Sequence, residues 1–271
     1  MFESSEKLLG RRMFRKIREM GLERYIEDVF IKKARNSSLI WGIFMYLGGA
    51  FGIIAGLYVI FGDSDMGMLS AIIFLALVGG GGIVIGSMML FKSAPRKQDA
   101  YKEELAKRYG NYSTPLKEIG EKLLTEPIHV LEVSSKIFTV ADWLVGFCKT
   151  QGAYFIRKSN IAAVIQSDDG THIYGDDGSY YRAYFSKGLY SWEQAFMILG
   201  EDNPYLLTDG EPVVLDDGNI APLEISPPKG VNNWEALIVK QFNKNKEEGR
   251  IADWAVGMLG DSDSHEEEDD E

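Results

Sequence analysis

The chain has little of what soluble enzymes commonly rely on. Cys148 is its one cysteine, so no intrachain disulfide can form and nothing points to an oxidising compartment. That residue reads as a small buried hydrophobe. The three histidines, His129, His172 and His265, are far apart and none stands in an HExxH-type spacing. GxGxxG, P-loop and GxSxG patterns do not occur. The residues therefore nominate no catalytic group, no metal ligand and no cofactor, and an enzyme would have to assemble its active site from dispersed positions. The acidic turns SDDG, GDDG and LDDG lack the alternating oxygen ligands and closing glutamate of a calcium loop, and read as hairpin turns.

The absence with the widest consequence is that of charge from two stretches. Leu39 to Phe61 and Leu69 to Phe91 contain no Asp, Glu, Lys, Arg or His. At about 1.5 Å per residue, each is long enough for the roughly 30 Å hydrocarbon slab of a bilayer. Two buried core helices are the alternative, but soluble cores rarely hold two adjacent uncharged runs of this length. Only GDSDMGM separates the runs, so the expectation is an antiparallel transmembrane hairpin. The lack of ionisable groups inside it argues against a proton relay or ion path.

Charge outside the runs orients the hairpin. Arg24, Lys32, Lys33 and Arg35 precede the first; Lys92, Arg96, Lys97, Lys102, Lys107 and Arg108 follow the second. The connecting loop has Asp63 and Asp65 and no base. The positive-inside rule then puts both termini in the cytoplasm, as in a multi-pass protein of the plasma (inner) membrane. Trp41 falls at the inner interface, Tyr58 and Phe61 near the outer one. Glycine is tolerated in such helices because no water competes for the backbone. Gly48, Gly52 and Gly56 form a ridge at four-residue spacing, and Gly82 and Gly86 offer the same spacing in the second run. Close packing within the hairpin, a docking seam for a protein partner or second copy, and a hinge at Gly79–Gly82 all fit this pattern.

Residues 1–38 read as a basic amphipathic helix, broken near Gly21. Leu9, Met13, Ile17 and Met20 share a face that Leu22, Ile26, Val29 and Phe30 continue, while Arg11, Arg12, Arg15, Lys16 and Arg18 occupy the rest. With Lys32, Lys33, Lys92, Arg96 and Lys97, these are the candidate membrane-surface residues, on lipid. The other reading packs the apolar face on the cytoplasmic domain and leaves the charges solvated.

Residues 92–125 hold two short helices, with Tyr101, Leu105 and Tyr109 aligned on the first and Leu116, Ile119 and Leu123 on the second. From Pro127 the pattern becomes β-branched and aromatic. IHVLEVSS, KIFTVADWLVGFC, AYFIRKSNIAAVIQS, THIYG and SYYRAYFS read as about five antiparallel strands broken by turn signals. Ser191 caps a helix with Trp192, Ala195, Phe196 and Leu199 on one stripe, ending the β-rich unit at residue 200. Residues 201–260 are turn-rich and end in a helix that Asn233 can cap, with Trp234, Leu237, Ile238 and Phe242 inward. Residues 261–271 form an acidic tail expected to be disordered. That tail holds eight of the acids behind the net charge of −11, so the remainder is only about −3 and the pI says little about partners. A nucleic-acid partner is not expected, since the main basic segment adjoins a membrane span.

The runs FTVADWLV and SNIAAVIQ, the DDGSYYRAYF hairpin strand and the closing helix resemble bacterial pleckstrin-homology-like domains, which often sit beside a pair of transmembrane helices. The chain is also similar to two-span bacterial membrane proteins of families of unknown function. The likeness covers roughly residues 126–200 and departs from a standard pleckstrin-like domain in its long segment after residue 200. It implies a non-catalytic β-rich module. The expectation is thus an α+β membrane protein: a transmembrane helical hairpin plus a cytoplasmic antiparallel β-meander with flanking helices. Its module would bind a protein, a peptide or a lipid headgroup; the alternative is an accessory subunit of a membrane transport complex that docks through the glycine-rich helices.

Overall fold

A computed structural model describes residues 2–61, 72–73, 75–91, 100–148, 152–168, 170–183 and 190–256. The base-free loop after Phe61, the basic residues Lys92, Arg96 and Lys97, the acidic tail with His265, and the side chain of Lys33 lie outside the described residues. The molecule is a mixed α+β structure.

Helices α1 (Phe2–Leu9) and α2 (Arg11–Met20) are separated by Gly10, whose φ of 95° lies in the left-handed region open to glycine. Gly21, at φ 82°, makes the second break, before α3 (Leu22–Tyr25). A wider π-type segment, Ile26–Ile31, then runs without interruption into the long helix α4 (Lys32–Phe61). Among the described residues, the part of α4 from Leu39 to Phe61 is the one helical stretch long and apolar enough to cross a membrane. Its mean hydropathy is 2.0, and only 17% of its most apolar window is buried.

The second uncharged run is helical from Leu75 to Phe91, as a π-type segment (Leu75–Gly80) followed by α5 (Gly81–Phe91). Its apolar part, Leu75–Met88, is shorter than a full span; residues 69–71 and 74 lie outside the described residues. It packs antiparallel to α4. Gly49 meets Gly82, Gly52 meets Gly79, Gly56 meets Leu75, and Gly86 meets Tyr46.

The seam differs in register from the ridge read in the sequence. Gly48 faces open space, and the buried stripe on α4 is Gly42, Gly49, Gly52 and Gly56, with half-buried Met45 between. Steps of four alone rotate a stripe by about 40° each, whereas alternating steps of three and four keep it along the helix axis. Alternation is what left-handed helix packing requires, and Leu75, Gly79, Gly82 and Gly86 repeat it on the partner. Of the four consecutive glycines, Gly79 and Gly82 are in the seam, while Gly80 and Gly81 meet nothing within 4 Å.

The remaining chain forms a four-layer body. Helices α6 (Ala100–Tyr109) and α7 (Ser113–Thr125) precede strands β1 (Ile128–Glu132), β2 (Ile137–Val140), β3 (Trp143–Cys148) and β4 (Gly152–Arg157), an antiparallel meander. A 3₁₀ turn, Lys158–Asn160, passes the chain to a second sheet of β5 (Ile161–Ser167), β6 (Gly170–Gly175) and β7 (Tyr180–Ala183). Helix α8 (Trp192–Gly200) follows, and β8 (Leu207–Thr208) then adds in parallel to β5. A hairpin of β9 (Pro212–Val214) and β10 (Ile220–Pro222) leads to α9 (Trp234–Glu248).

Strand parity builds the layers. Trp143, Val145 and Phe147 of β3 face the amino-terminal helices, α6 and α7, while Leu144 faces the second sheet. In β4, Phe155 and Ala153 take the first direction, and Tyr154 and Ile156 the second. Ile161, Val164 and Ile173 of the second sheet close the inter-sheet core with Phe196 and Leu199 of α8. Ala163, Ile165 and Tyr174 face outward onto Trp234, Leu237 and Phe242 of α9. Both faces of both sheets are covered, so the strands read as continuous apolar runs without alternation. This is why two of the five expected strands each conceal two: KIFTVADWLVGFC is a tight hairpin, and AYFIRKSNIAAVIQS changes sheets at Lys158.

Candidate functional site at the foot of the apolar helix

The amino-terminal face is committed to protein. Leu9, Met13, Ile17, Leu22 and Ile26 are almost wholly buried in one cluster with Ile128, Val130, Phe138 and Phe147. Phe147 meets Tyr25 and Phe30 edge-on, with ring centroids 6.1 and 5.5 Å away. Of the two sequence readings, then, packing on the domain is the one observed, and insertion of this face into lipid is not. Burying these side chains against a sheet satisfies them at one site, which a bilayer surface would do only by uncovering the sheet.

The charged face remains outside. Arg11, Arg12, Arg15 and Arg18 are exposed and Lys16 is half-buried. They divide between two depressions. Arg11, Arg15 and Arg18 border a shallow one of about 350 Å³ with Glu6 and Phe14. Arg12, which borders both, and Lys16 turn toward a larger groove of about 750 Å³ between the amino-terminal helices and the start of α4. Its opposite wall carries Asp28, Lys32, Asn36 and Ile40, and Lys136 of the β1–β2 turn enters from the side.

Several features fix this groove. Lys32, Asn36 and Ile40 recur every four residues, so they share one face of α4. Lys32 is ion-paired with Asp28, and that lysine holds the Asp28 carboxyl below its ordinary value, first through the hydrogen bond and then through its charge. Among the described residues, neither Arg12 nor Lys16 is ion-paired. Lys136 adopts φ 47°, a left-handed backbone unusual for a residue with a side chain, and its ammonium lies 3.8 Å from the Met13 sulfur. Tyr25 also lines the groove; burial pushes its hydroxyl pKa up, so it stays a proton donor. Lys136 could not be found from sequence, because nothing local links it to residues more than a hundred positions earlier.

The other polar groups form struts. Arg108 of α6 reaches the β6–β7 turn, pairs with Asp177, lies 3.4 Å from Asp176 and donates to Ser179 Oγ at 3.1 Å. Lys102 pairs with Glu27 and ties α6 to the segment entering α4. Buried Lys158 meets Glu201 and Asp202 at 3.2 and 3.4 Å. The GDDG and LDDG sequences are turns, with Gly178 and Gly218 at φ 81° and 83°.

His172 is buried between Tyr180, whose hydroxyl lies 2.6 Å from Nδ1, and Ser167, whose Oγ lies 3.1 Å from Nε2. Ser167 donates its own proton to the Gly170 carbonyl at 3.2 Å. For a neutral imidazole this leaves Nε2–H donating to Ser167 and Nδ1 accepting from Tyr180. A histidine so arranged ties Ser167, at the end of β5, to Tyr180 at the start of β7. His129 lies 3.2 Å from the Tyr190 hydroxyl, and Cys148 is half-buried against the inter-sheet core. Among the described residues no group of His, Cys, Asp and Glu could hold a metal ion.

No family model, no curated protein and no solved structure matches this chain.

Proposed function

We propose that this is a non-enzymatic integral membrane protein whose antiparallel apolar helices cross the bilayer as a hairpin, with both termini in the cytoplasm. The supporting observation is the unclosed flank of α4. Ile40, Phe44, Phe51, Tyr58 and Phe61 are each about two-thirds exposed or more, against 0–8% for the core of the β-rich body. So large a continuous apolar surface requires lipid or protein to cover it. Continuous helix from Lys32 into the span, braced by Lys102–Glu27, would hold the cytoplasmic body at a fixed height below the membrane.

In this reading the body is a binding module. Its first four-stranded sheet and strands β5–β7 of the second, followed by α8, support a pleckstrin-like arrangement, to which β8 adds as an edge strand of the second sheet and the β9–β10 hairpin and α9 as a further layer. Surface recognition is its task in this reading, and the groove of about 750 Å³ beside α4 is the feature that supports it. Docking of a transport subunit through the glycine ridges has less support, because Gly49, Gly52 and Gly56 already contact the second helix of the same chain.

Fractionation tests the membrane reading. The full-length chain should remain in the membrane pellet after alkaline carbonate and require detergent for release. A chain that is monodisperse in plain buffer contradicts it.

A further inference from the structure

We infer that the groove between α2 and α4 is a binding site for the headgroup of an anionic phospholipid. This rests on the membrane reading of α4 given above. It adds a ligand class and a set of contacting residues.

The argument begins with position. The uncharged run starts at Leu39, so Ile40 stands at the edge of the hydrocarbon and Lys32 lies two turns below it. Those eight residues span about 12 Å of helix, somewhat deeper than the roughly 5–8 Å of the headgroup layer on one side of a bilayer. The groove thus opens toward lipid at its Ile40 end and carries its charges just below that layer, where long lysine and arginine side chains reach up to headgroup phosphates. That gradient matches an acyl-chain root above and a phosphate below.

Charge comes next. Arg12, Lys16, Lys32 and Lys136 border the groove with one carboxylate, Asp28, giving a local excess of about three positive charges. Asp28 already engages Lys32, which leaves Arg12 and Lys16 as the cations not ion-paired among the described residues. A phosphodiester offers two unesterified oxygens to such groups, and charge-assisted bonds of this kind are roughly twice as strong as neutral ones. A zwitterionic headgroup would bring its own ammonium into the same basic space and be disfavoured. Lys136 holds a backbone conformation that glycine or asparagine would adopt more readily, so the turn carries a lysine there at a conformational cost.

The cations converge from three parts of the chain: α2, the start of α4 and the β1–β2 turn. The flat arginine face of Arg11, Arg15 and Arg18 lacks that convergence and belongs to α2 alone, which makes it an internal control.

The test uses full-length protein in detergent micelles, titrated with phosphatidylglycerol, phosphatidylcholine or inorganic phosphate and read by native mass spectrometry. Phosphatidylglycerol should bind at least about tenfold more tightly than phosphatidylcholine, with inorganic phosphate weaker than either lipid. Lys16→Gln with Lys136→Gln should weaken phosphatidylglycerol roughly thirtyfold, taking each lysine at its usual contribution near an anionic surface. Arg11→Gln with Arg18→Gln, which removes the same charge outside the groove, should change it less than threefold. Equal affinity for both lipids overturns the site, as does equal loss in both double variants. Inorganic phosphate binding as tightly as the lipid overturns the headgroup assignment. The two claims fail separately: no lipid preference in a chain that still needs detergent removes the site alone, whereas a chain soluble without detergent removes the membrane reading.

Discussion

Gly82 and Gly49 touch through their backbones: a Cβ placed on Gly82 would lie 2.8 Å from the Gly49 Cα and 3.1 Å from the Met45 carbonyl oxygen. Neither neighbour is a side chain that could rotate away. Gly81, one position earlier, faces open space. Gly82→Leu should therefore force the two helices apart, at a cost of about 1–3 kcal/mol or more for overpacking, while Gly81→Leu should be nearly neutral. Thermal unfolding of the detergent-solubilised protein separates the two. Equal destabilisation would place the seam elsewhere.

Phe147 joins the amino-terminal helices to the first sheet through Tyr25, Phe30, Phe138 and Phe155. Phe147→Ala should cost about 3–5 kcal/mol, as is usual for a buried phenylalanine. Hydrogen exchange should accelerate from Leu9 to Ile26 by more than it does in α9, which packs on the far side of the second sheet. Uniform acceleration would mean that the layers do not open separately.

Acid should loosen the Arg108 strut. Burial raises the Asp177 carboxyl, but hydrogen bonds from Ser179 and the Arg108 guanidinium outweigh it and leave the group below its ordinary 3.8. A carboxyl depressed in the folded state contributes stability above its unfolded value and loses it as the pH falls through the folded one. Asp177→Asn should therefore lower the melting temperature at pH 7, and the difference should close as the pH drops below 3.8. A difference that is constant with pH would show that the carboxylate's charge is not what matters.

Glu104 carries the opposite sign. Burial raises its carboxyl above the ordinary 4.5, against the hydrogen bond it accepts from Tyr181 at 2.9 Å. Folding then opposes its ionisation, a cost that grows as the pH climbs through the raised value. Glu104→Gln, which still offers Tyr181 an oxygen, should melt no lower than the parent at pH 7. Any gain should vanish below pH 4.5. A variant less stable at neutral pH would show that Glu104 stabilises the fold as an anion.

What could be read in the chain follows from where its period survives. The helices α6, α7 and α9 kept their apolar stripes, and Ser191 caps α8 through a capping box with Gln194. Asn233 takes the cap position of α9, but its amide donates to Asp216 instead of closing the helix. Within the sheets the period is lost, since covering both faces makes every position apolar. The β2–β3 hairpin turns at Ala141, in a left-handed conformation at φ 49°, with neither glycine nor asparagine to announce it. The glycine seam was legible as a class but not in register, because Gly48 and Gly49 are chemically alike and only the partner helix chooses between them. The groove was half legible: Arg12, Lys16 and Lys32 stand out by composition, whereas Lys136 reaches them only through the fold of the first sheet.

The two crossings by the apolar helices are tested most directly by cysteine labelling in intact cells. In a Cys148→Ser background, Asp65→Cys should react with a membrane-impermeant maleimide, and Ser4→Cys should react only after permeabilisation. Labelling of position 4 in intact cells, or protection of position 65 there with reaction once the cells are opened, would contradict the account.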